Sequence, residues 1–428
     1  MSQASPLAFP LSAGSARPAT TVWESDLRPS AVWDFVGGVY LGGGAVTFTR
    51  ASSATYFDSA GVQTAATDAL RFDSDPVTLA PRGILIEGAR TNLFLRSEEF
   101  SNASWVKSNC TITADAAVAP DGAASADTMV ENAGSGVKQA AQTVSGIVSG
   151  TTYTISLFVK AAGRSFFCIQ AYSAWAGANN STWYDLSTGT VSSSQGSTVA
   201  GIQALGGGWY RLTYTRVATA TGTGTIGFFP CQSSGSVNYT GDGVSGVHVW
   251  GAQIEVGSFA SSYIPTTTAS ATRAADVLTA ALGGWFNTAA GTAVPQWRCP
   301  FVAGTTQQCV FSIDDGTANN RVTLWAKDAS GNLMLEVVAG GVQQCAISGG
   351  AAVAGQSEKV AVSWKANQFA LSRNGATVVT EVAGSVPTGL TTLRFGSTTA
   401  GQHLFGTMSA FSNIPRCVSN AELQALSA

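Results

Sequence analysis

Charge is scarce in this chain. Of its 428 residues, 22 are Lys or Arg and 25 are Asp or Glu, so charged residues make up only 11% of the sequence and the formal net charge is −3. This is less than half of the charged share of an average soluble protein. No basic block occurs, and a surface that neutralises the phosphates of a nucleic acid is therefore not expected.

Long apolar runs are absent as well. No stretch of about 18 apolar residues occurs, so no transmembrane helix is expected. The N-terminal sequence MSQASP lacks the basic segment of a secretory signal. We therefore expect a protein that is assembled in the cytoplasm, does not insert into a membrane and leaves the cell by lysis.

Motifs for enzyme chemistry are missing too. G-x-S-x-G, H-E-x-x-H and Walker-type sequences do not occur, and the 2 histidines, His248 and His403, lie inside predicted strands. The 7 cysteines are scattered without C-x-x-C pairs or nearby His ligands, which predicts reduced core thiols rather than zinc ligands. The sequence thus predicts no enzyme and no cofactor. A turn at Asp314-Asp315-Gly316 leaves a structural calcium ion as an open alternative, although the EF-hand spacing is absent.

What the chain does contain is a long series of short strand-like runs. Apolar and polar residues alternate with a period of two between clusters of Gly, Ser and Asn. A helix is predicted only near the end, where Ser419 and Glu422 have the spacing of a capping box. This pattern predicts an all-β fold with tandem β-sandwich (jelly-roll) domains at 96–270 and 283–428, and a small module at 41–95.

The first 40 residues predict an extended N-terminal arm. Prolines interrupt any continuous helix or strand, at Pro6, Pro10, Pro18 and Pro29. Large aromatic residues are nevertheless present, which is unusual for a disordered tail. An arm that attaches to another subunit explains both features, with Trp23, Trp33 and Phe35 as anchors. The alternative is that these aromatic side chains fold back onto the next domain.

An aromatic cluster in a Ser-, Gly- and Asn-rich stretch is the candidate ligand site. Its members are Tyr172, Trp175, Asn179, Asn180, Trp183 and Tyr184. Exposed aromatic faces and neutral polar groups are suited to binding sugars, which predicts a carbohydrate-binding loop around Trp175. The alternative is that these residues belong to the sandwich core, because Trp183 and Tyr184 alternate faces and at least one of them must be buried.

Four sequence blocks in the first hundred residues form a recognisable series. They are FTRASSATY at 48–56, RFD at 71–73, GILIE at 83–87 and RTNL at 90–93. This series resembles the module shared by bacteriophage head-spike and tail-fibre proteins. Its charged members Arg50, Arg71, Asp73 and Glu87 could be catalytic, but we favour paired buried ions that stabilise a small, coil-rich module.

The two predicted sandwiches carry resemblances of their own. The first has WVKSNCTIT at 105–113, PDG at 120–122, WYDLSTGTV at 183–191 and WGAQIE at 250–255, and it resembles the sandwiches of carbohydrate-binding modules. The second has a hairpin signal at Asn374-Gly375 and a final strand followed by a short helix, a layout that resembles laminin-G/concanavalin-like lectin domains.

Together these resemblances imply a virion appendage, either a head spike or a tail fibre. Such a protein would adhere to host-surface polysaccharide without cleaving it, would contact other virion structural proteins and would form a homotrimer. A purely structural head-decoration or spacer protein is the first alternative. A glycan depolymerase is the second, and it would need two carboxylates about 5 to 9.5 Å apart across a sugar.

Overall fold

The computed structural model describes residues 28–175, 180–195, 199–302 and 306–428. Within these ranges the chain forms 34 strands and one α-helix, which confirms the predicted all-β class with β-sandwich domains. No helix in the described ranges is both long and apolar enough to cross a bilayer.

Residues 28–95 contribute eight short strands. These are β1 (Ala31–Asp34), β2 (Val39–Leu41), β3 (Val46–Thr49), β4 (Ser53–Phe57), β5 (Gln63–Thr67), β6 (Phe72–Ser74), β7 (Pro81–Ile86) and β8 (Arg90–Asn92).

Residues 96–270 contribute fourteen strands. These are β9 (Val106–Ser108), β10 (Cys110–Ala117), β11 (Ala126–Glu131), β12 (Gly134–Val137), β13 (Gln139–Ile147), β14 (Thr152–Ala162), β15 (Phe166–Ser173), β16 (Ser181–Asp185), β17 (Thr190–Ser194), β18 (Val199–Ala204), β19 (Tyr210–Val217), β20 (Gly222–Cys231), β21 (Asn238–Gly241) and β22 (Gly246–Val256).

The remaining residues contribute twelve strands and the helix. These are β23 (Ala271–Arg273), β24 (Val277–Ala281), β25 (Ala290–Arg298), β26 (Gln308–Asp314), β27 (Arg321–Lys327), β28 (Asn332–Ala339), β29 (Val342–Ala351), β30 (Ser357–Lys365), β31 (Gln368–Arg373), β32 (Val379–Glu381), β33 (Thr392–Phe395), β34 (Gly406–Ile414) and α1 (Asn420–Ser427).

The central sandwich consists of two six-stranded antiparallel sheets. Their strand orders are β10-β11-β22-β14-β19-β18 and β17-β16-β15-β20-β13-β9. Alternation along β14 directs Ile155 and Leu157 into the core between the sheets, where Phe228 of β20 meets them. Phe158 points to the opposite face, where it packs on Trp250 and Tyr263. The period of two thus places apolar groups on both faces of β14.

The second sandwich, which we call the composite sandwich, is built from both ends of the described chain. One sheet has nine strands in the order β2-β1-β34-β25-β30-β31-β32, with β7 also paired to β34 and β6 paired to β7. The other has seven strands in the order β29-β28-β27-β26-β33-β24-β3. These pairings correct the predicted boundaries, because β1, β2, β3, β6 and β7 lie in the sheets of the C-terminal sandwich rather than in a separate arm and module. Of the strands within 31–86, only β4 and β5 form a two-stranded sheet of their own.

A two-stranded ribbon connects the two sandwiches. In it, β8 pairs antiparallel with β23, so that Asn92 lies opposite Ala271 and Arg90 lies opposite Arg273. The chain leaves the composite sandwich along β8, forms the whole central sandwich and returns along β23. The central sandwich is therefore an insertion between two adjacent strands of the ribbon.

Helix α1 covers part of the outer face of the nine-stranded sheet. Ser419 accepts a hydrogen bond from the main chain of Glu422, and the Glu422 carboxylate accepts one from the main chain of Ser419, so the predicted capping box is confirmed. Leu423 and Leu426 pack on Val294 and Ala361. The face is apolar beneath the helix and polar beside it.

Candidate functional site

Three of the four charged residues singled out in the N-terminal sequence blocks meet in a buried group at the ribbon, whereas the fourth, Asp73, lies outside it and pairs with Arg82 at 3.4 Å. We call the buried group the junction cluster, and it consists of Arg50, Arg71, Glu87, Arg273 and Asp276. Arg50 donates to Asp276 at 2.8 Å, Arg71 donates to Glu87 at 2.7 Å and also pairs with Asp276, and Arg273 lies 3.2 Å from Glu87. All five side chains are at most 5% exposed.

The central sandwich contributes to the junction cluster through Ser262. The Ser262 amide and hydroxyl donate to Glu87 at 2.8 and 2.6 Å, and the hydroxyl accepts hydrogen bonds from Arg71 and Arg273. The Glu87 carboxylate is therefore shared by Arg71, 16 positions before it, and by Ser262, 175 positions after it, together with Arg273. The preference for buried ion pairs over catalysis agrees with this geometry, because these groups are closed off from solvent.

The electrostatics of Glu87 follow from its surroundings. Burial by itself would raise its pKa, but the guanidinium groups of Arg273 and Arg71 and the hydrogen bonds from Ser262 outweigh it and lower the pKa to about 2. Glu87 is consequently ionised at neutral pH. A buried pair of this kind is costly to break, because removing one partner leaves an uncompensated charge.

The predicted carbohydrate-binding loop is corrected by the position of Trp175. This side chain is fully buried, and its ring meets the ring of Tyr153 edge to face at 5.7 Å. A buried indole cannot stack on a sugar. Trp175 belongs to the core of the central sandwich, which was the alternative interpretation.

The other members of the predicted loop do not form an exposed site either. Tyr184 is fully buried and its hydroxyl donates to the main chain of Thr213 at 2.8 Å, while Trp183 is 4% exposed on the opposite face of its strand. Asn180 is buried and donates to the main chain of Trp175. Tyr172 is half-buried and donates to Gln170 at 2.6 Å. Asn179 lies outside the described residues.

The proposed anchors of the N-terminal arm are also corrected. Trp33 and Phe35 are 0% and 1% exposed, and both pack edge to face on Phe395 in the composite core. β1 is held between β2 and β34, so these rings have partners within the chain. Trp23 lies outside the described residues, and its role as an anchor stays a prediction.

The Asp314-Asp315 turn has its carboxylates engaged. Asp314 accepts hydrogen bonds from Arg394 at 3.0 Å and from the amide of Gly316 at 3.0 Å, and Asp315 accepts from the amide of Thr317 at 2.8 Å. Across the described ranges, no group of three or more His, Cys, Asp or Glu side chains is placed to hold a metal ion.

The contacts of the histidines and cysteines are those of structural residues. His248 shares a hydrogen bond with Thr128 at 2.8 Å, His403 shares one with the main chain of Gly401 at 2.8 Å, and burial lowers the pKa of both. All seven cysteines are free thiols, and all but Cys417 are buried.

A polar groove lies beside helix α1 on the outer face of the nine-stranded sheet. It consists of two adjoining cavities of about 270 and 410 Å³ that share Trp297, Ser357 and Ser409. We call it the outer groove. The first cavity is also lined by Gln296, Glu358, Lys359, Asn374, Ser427 and Ala428, and the second by Asp75, Thr78, Ala80, Pro81, Arg82, Arg298, Gly355 and Thr407.

The alternation of side chains along the strands determines which residues form the floor of the outer groove. The ring of Trp297 packs into the composite core, so its neighbours Gln296 and Arg298 point outward. On the adjacent strand, Lys359 lies opposite Gln296 and Ser357 lies opposite Arg298. The end of α1 forms one wall, and the segment 75–82 forms the other.

The carboxylates of the outer groove are neutralised within the protein. Asp75 accepts a hydrogen bond from Arg82 at 2.6 Å. Partial burial would raise its pKa, but the amides of Thr78 and Val77 together with Arg82 lower it to about 2. Glu358 is paired with Arg373.

Two further cations of the groove contact main-chain oxygens. Arg298 donates through Nε to the main chain of Gly355 at 2.7 Å, and Lys359 donates to the main-chain oxygen of Ala428 at 2.6 Å. Neither side chain forms an ion pair with a carboxylate side chain of the described residues. The sequence signal for this site is a pair of polar residues at alternate positions on each of two mostly apolar strands: Gln296 and Arg298 on β25, and Ser357 and Lys359 on β30. Because β25 and β30 are far apart in sequence, this pattern does not show that the two strands pair.

Comparisons with known proteins find distant similarities to solved structures. No family model and no curated protein matches this chain. One of the similar structures is the CBM40 of a Ruminococcus gnavus IT-sialidase bound to α2,3-sialyllactose, which is 21% identical to this chain. The alignment covers 33% of this chain and 84% of the CBM40 chain, with a TM-score of 0.28. Domains LG4-5 of the mouse laminin α1 chain are 10% identical to this chain. The alignment covers 81% of this chain and 94% of the laminin chain, with a TM-score of 0.25.

A third similar structure is domain 4 of a GH43 extracellular arabinanase from Geobacillus stearothermophilus in complex with arabinotriose. It is 12% identical and covers 40% of this chain and 82% of its own, with a TM-score of 0.30. These similarities are too distant to assign a ligand to this chain. The resemblance to phage appendage proteins stays a prediction from the sequence.

Proposed function

We propose that this protein is a non-enzymatic adhesin that binds polysaccharide through the outer groove. The observation that carries the proposal is a preorganised polar floor, in which Gln296, Ser357 and Ser409 offer neutral hydrogen-bonding groups on rigid strands. Sugar hydroxyls need such donors and acceptors in fixed positions, and binding is tighter when the site does not have to order itself first.

The biological setting of this adhesion is proposed from the four N-terminal sequence blocks. They support a virion appendage, a head spike or a tail fibre, whose target is host-surface polysaccharide and whose residues before Arg28 contact other virion structural proteins. A homotrimer belongs to the same proposal, because few charged residues protect exposed strand edges. Light scattering should then report a mass near three times 43.7 kDa, whereas a monomer at micromolar concentration would contradict it.

A structural spacer is the second candidate, and a specific observation favours it. The aromatic residues that were expected to bind sugar, Trp175, Trp183 and Tyr184, are buried. The junction cluster also fastens the two sandwiches together, as a rigid spacer requires. A depolymerase has less support, because the groove carboxylates Asp75 and Glu358 are each paired with an arginine.

Filling the outer groove tests the proposal. Ser357 is exposed on its floor, and Ser357→Trp should block binding to host polysaccharide without changing the melting temperature. Ser192 is exposed on β17 of the central sandwich, so Ser192→Trp is a matched control that should bind normally. Equal binding by both variants would exclude the outer groove. If the unaltered protein bound no host polysaccharide, the result would favour the spacer.

A further inference from the structure

We infer that the outer groove selects acidic polysaccharides, which carry carboxylate, sulfate or phosphate groups, over neutral ones. The inference rests on the proposed function, since it names the class of polymer that the same groove would bind. Its basis is an asymmetry between the side-chain charges of the groove: the carboxylates Asp75 and Glu358 are paired with arginines, whereas Arg298 is paired with no carboxylate side chain of the described residues.

The carboxylates of the groove are each paired with an arginine of the protein. Arg82 donates to Asp75 at 2.6 Å and lies 3.4 Å from Asp73. Arg373 donates from Nε to Glu358 at 2.9 Å, and its Nη1 donates to the main chain of Ala351 at 2.9 Å. These contacts hold the carboxylates in place and leave little negative charge to repel an acidic polymer.

The cationic side consists of Arg298 and Lys359, which both point outward from neighbouring strands. They are diagonal neighbours in the sheet, because Arg298 lies opposite Ser357 and Lys359 lies opposite Gln296. Diagonal positions in an antiparallel pair are about 7–8 Å apart. Two cations at this spacing can contact acidic groups of one sugar or of adjacent sugars in a chain.

Both cations are held in position by a single main-chain contact. Arg298 uses only Nε to bond to Gly355. Among the described residues, neither terminal nitrogen of its guanidinium has a hydrogen-bond partner. That planar fork matches the two oxygens of a carboxylate or a phosphate. Lys359 keeps two N–H donors beyond the one directed at Ala428. Neutral hydroxyls of Ser357, Thr407 and Ser409 also line the groove and can bind sugar hydroxyls.

The test is binding of the full chain to a microarray of acidic bacterial capsular polysaccharides, each printed beside its carboxyl-reduced form, together with neutral polysaccharides. Arg298→Gln and Lys359→Gln each remove one groove cation. Lys365→Gln removes an exposed positive charge at the far end of β30 and is the matched control. Melting temperatures of all variants establish that each is folded.

We expect at least one acidic polymer to bind, its reduced form to bind about tenfold or more weakly, and Arg298→Gln to lose a similar factor. Binding should also weaken as salt concentration rises. Equal binding of acidic and reduced forms, or full binding by both groove variants, would overturn the selectivity while leaving polysaccharide binding intact. Binding to none of the polymers would overturn the proposed function itself, and the selectivity with it.

Discussion

Arg50 donates a 2.8 Å hydrogen bond to Asp276 although the two residues are 226 positions apart and the entire central sandwich separates them in the chain. The same carboxylate accepts hydrogen bonds from Arg71 and from the amide of Glu87. Segments before the insertion are thereby bonded to the segment after it. The junction cluster closes the composite sandwich at the point where the chain leaves and returns.

Removing one cation from the junction cluster should strongly destabilise the protein. Arg71→Met leaves Glu87 and Asp276 buried without full compensation, and we expect a loss of about 3–5 kcal/mol in the free energy of unfolding. Arg96 pairs with Glu99 at a partly exposed site, so Arg96→Met should cost at most about 1 kcal/mol. Denaturant unfolding of both variants measures the difference. Similar small losses would show that the junction cluster contributes little.

Excising the central sandwich should leave a protein that folds. Asn92 and Ala271 are opposite each other in the ribbon, so a two-residue Asn-Gly turn can join them in place of residues 93–270. The shortened protein keeps every strand of the composite sandwich and should unfold cooperatively. The fragment 283–428 alone lacks β1, β3, β7 and β24 and should not fold. A folded, cooperative 283–428 fragment would show that the N-terminal strands are dispensable.

Lowering the pH should destabilise the folded protein because Glu87 becomes protonated. Its pKa falls from 4.5 to about 2 in the folded state, so its contribution to stability is complete above the pKa of the unfolded state and is lost as the pH falls from about 4.5 towards 2. The contribution amounts to about 3 kcal/mol. Glu87→Gln is less stable at neutral pH, but its free energy of unfolding should vary less over this range. Parallel pH profiles of the two proteins would contradict the assignment.

Truncating Trp175 should act on stability rather than on a binding site. Trp175→Ala removes a fully buried ring, and we expect a loss of about 3–5 kcal/mol. Tyr172→Phe is the nearby control, since it removes only a hydroxyl that bonds to Gln170, and it should cost about 1 kcal/mol. Polysaccharide binding by the folded fraction of either variant should be unchanged. A stable Trp175→Ala protein with weakened binding would restore the predicted loop.

Two N-terminal deletions separate attachment from folding. Removing residues 1–27 leaves all described strands in place and should preserve the melting temperature while preventing incorporation into particles. Removing residues 1–41 also takes away β1 and β2, which exposes residues 410–413 of β34 and empties the positions of Trp33 and Phe35 in the core. The longer deletion should therefore melt at a lower temperature. Equal melting temperatures would show that β1 is not part of the sandwich.

The local features of this protein could be predicted from its sequence. Alternation marked the strand of Tyr153, Ile155 and Leu157, the Asn374-Gly375 pair marked a hairpin in which both residues have positive φ, and Ser419 with Glu422 marked the capped helix. Each depends on residues a few positions apart, whose backbone preferences and faces are set by short-range sterics and hydrogen bonding. The all-β class follows from these features alone.

The arrangement of strands and the exposure of side chains were decided only by the tertiary structure. Alternation tells which face of β1 is buried but not that its partner is β34, at the other end of the chain, because hydrogen bonds between strands are equally available to any exposed edge. For the same reason the sequence predicted Trp175 to be exposed in a binding loop, whereas Tyr153 and the rest of the core enclose it. Arg298 and Lys359 are neighbours only because β25 and β30 pair. Composition and period determine what a segment forms, whereas long-range packing determines what it contacts.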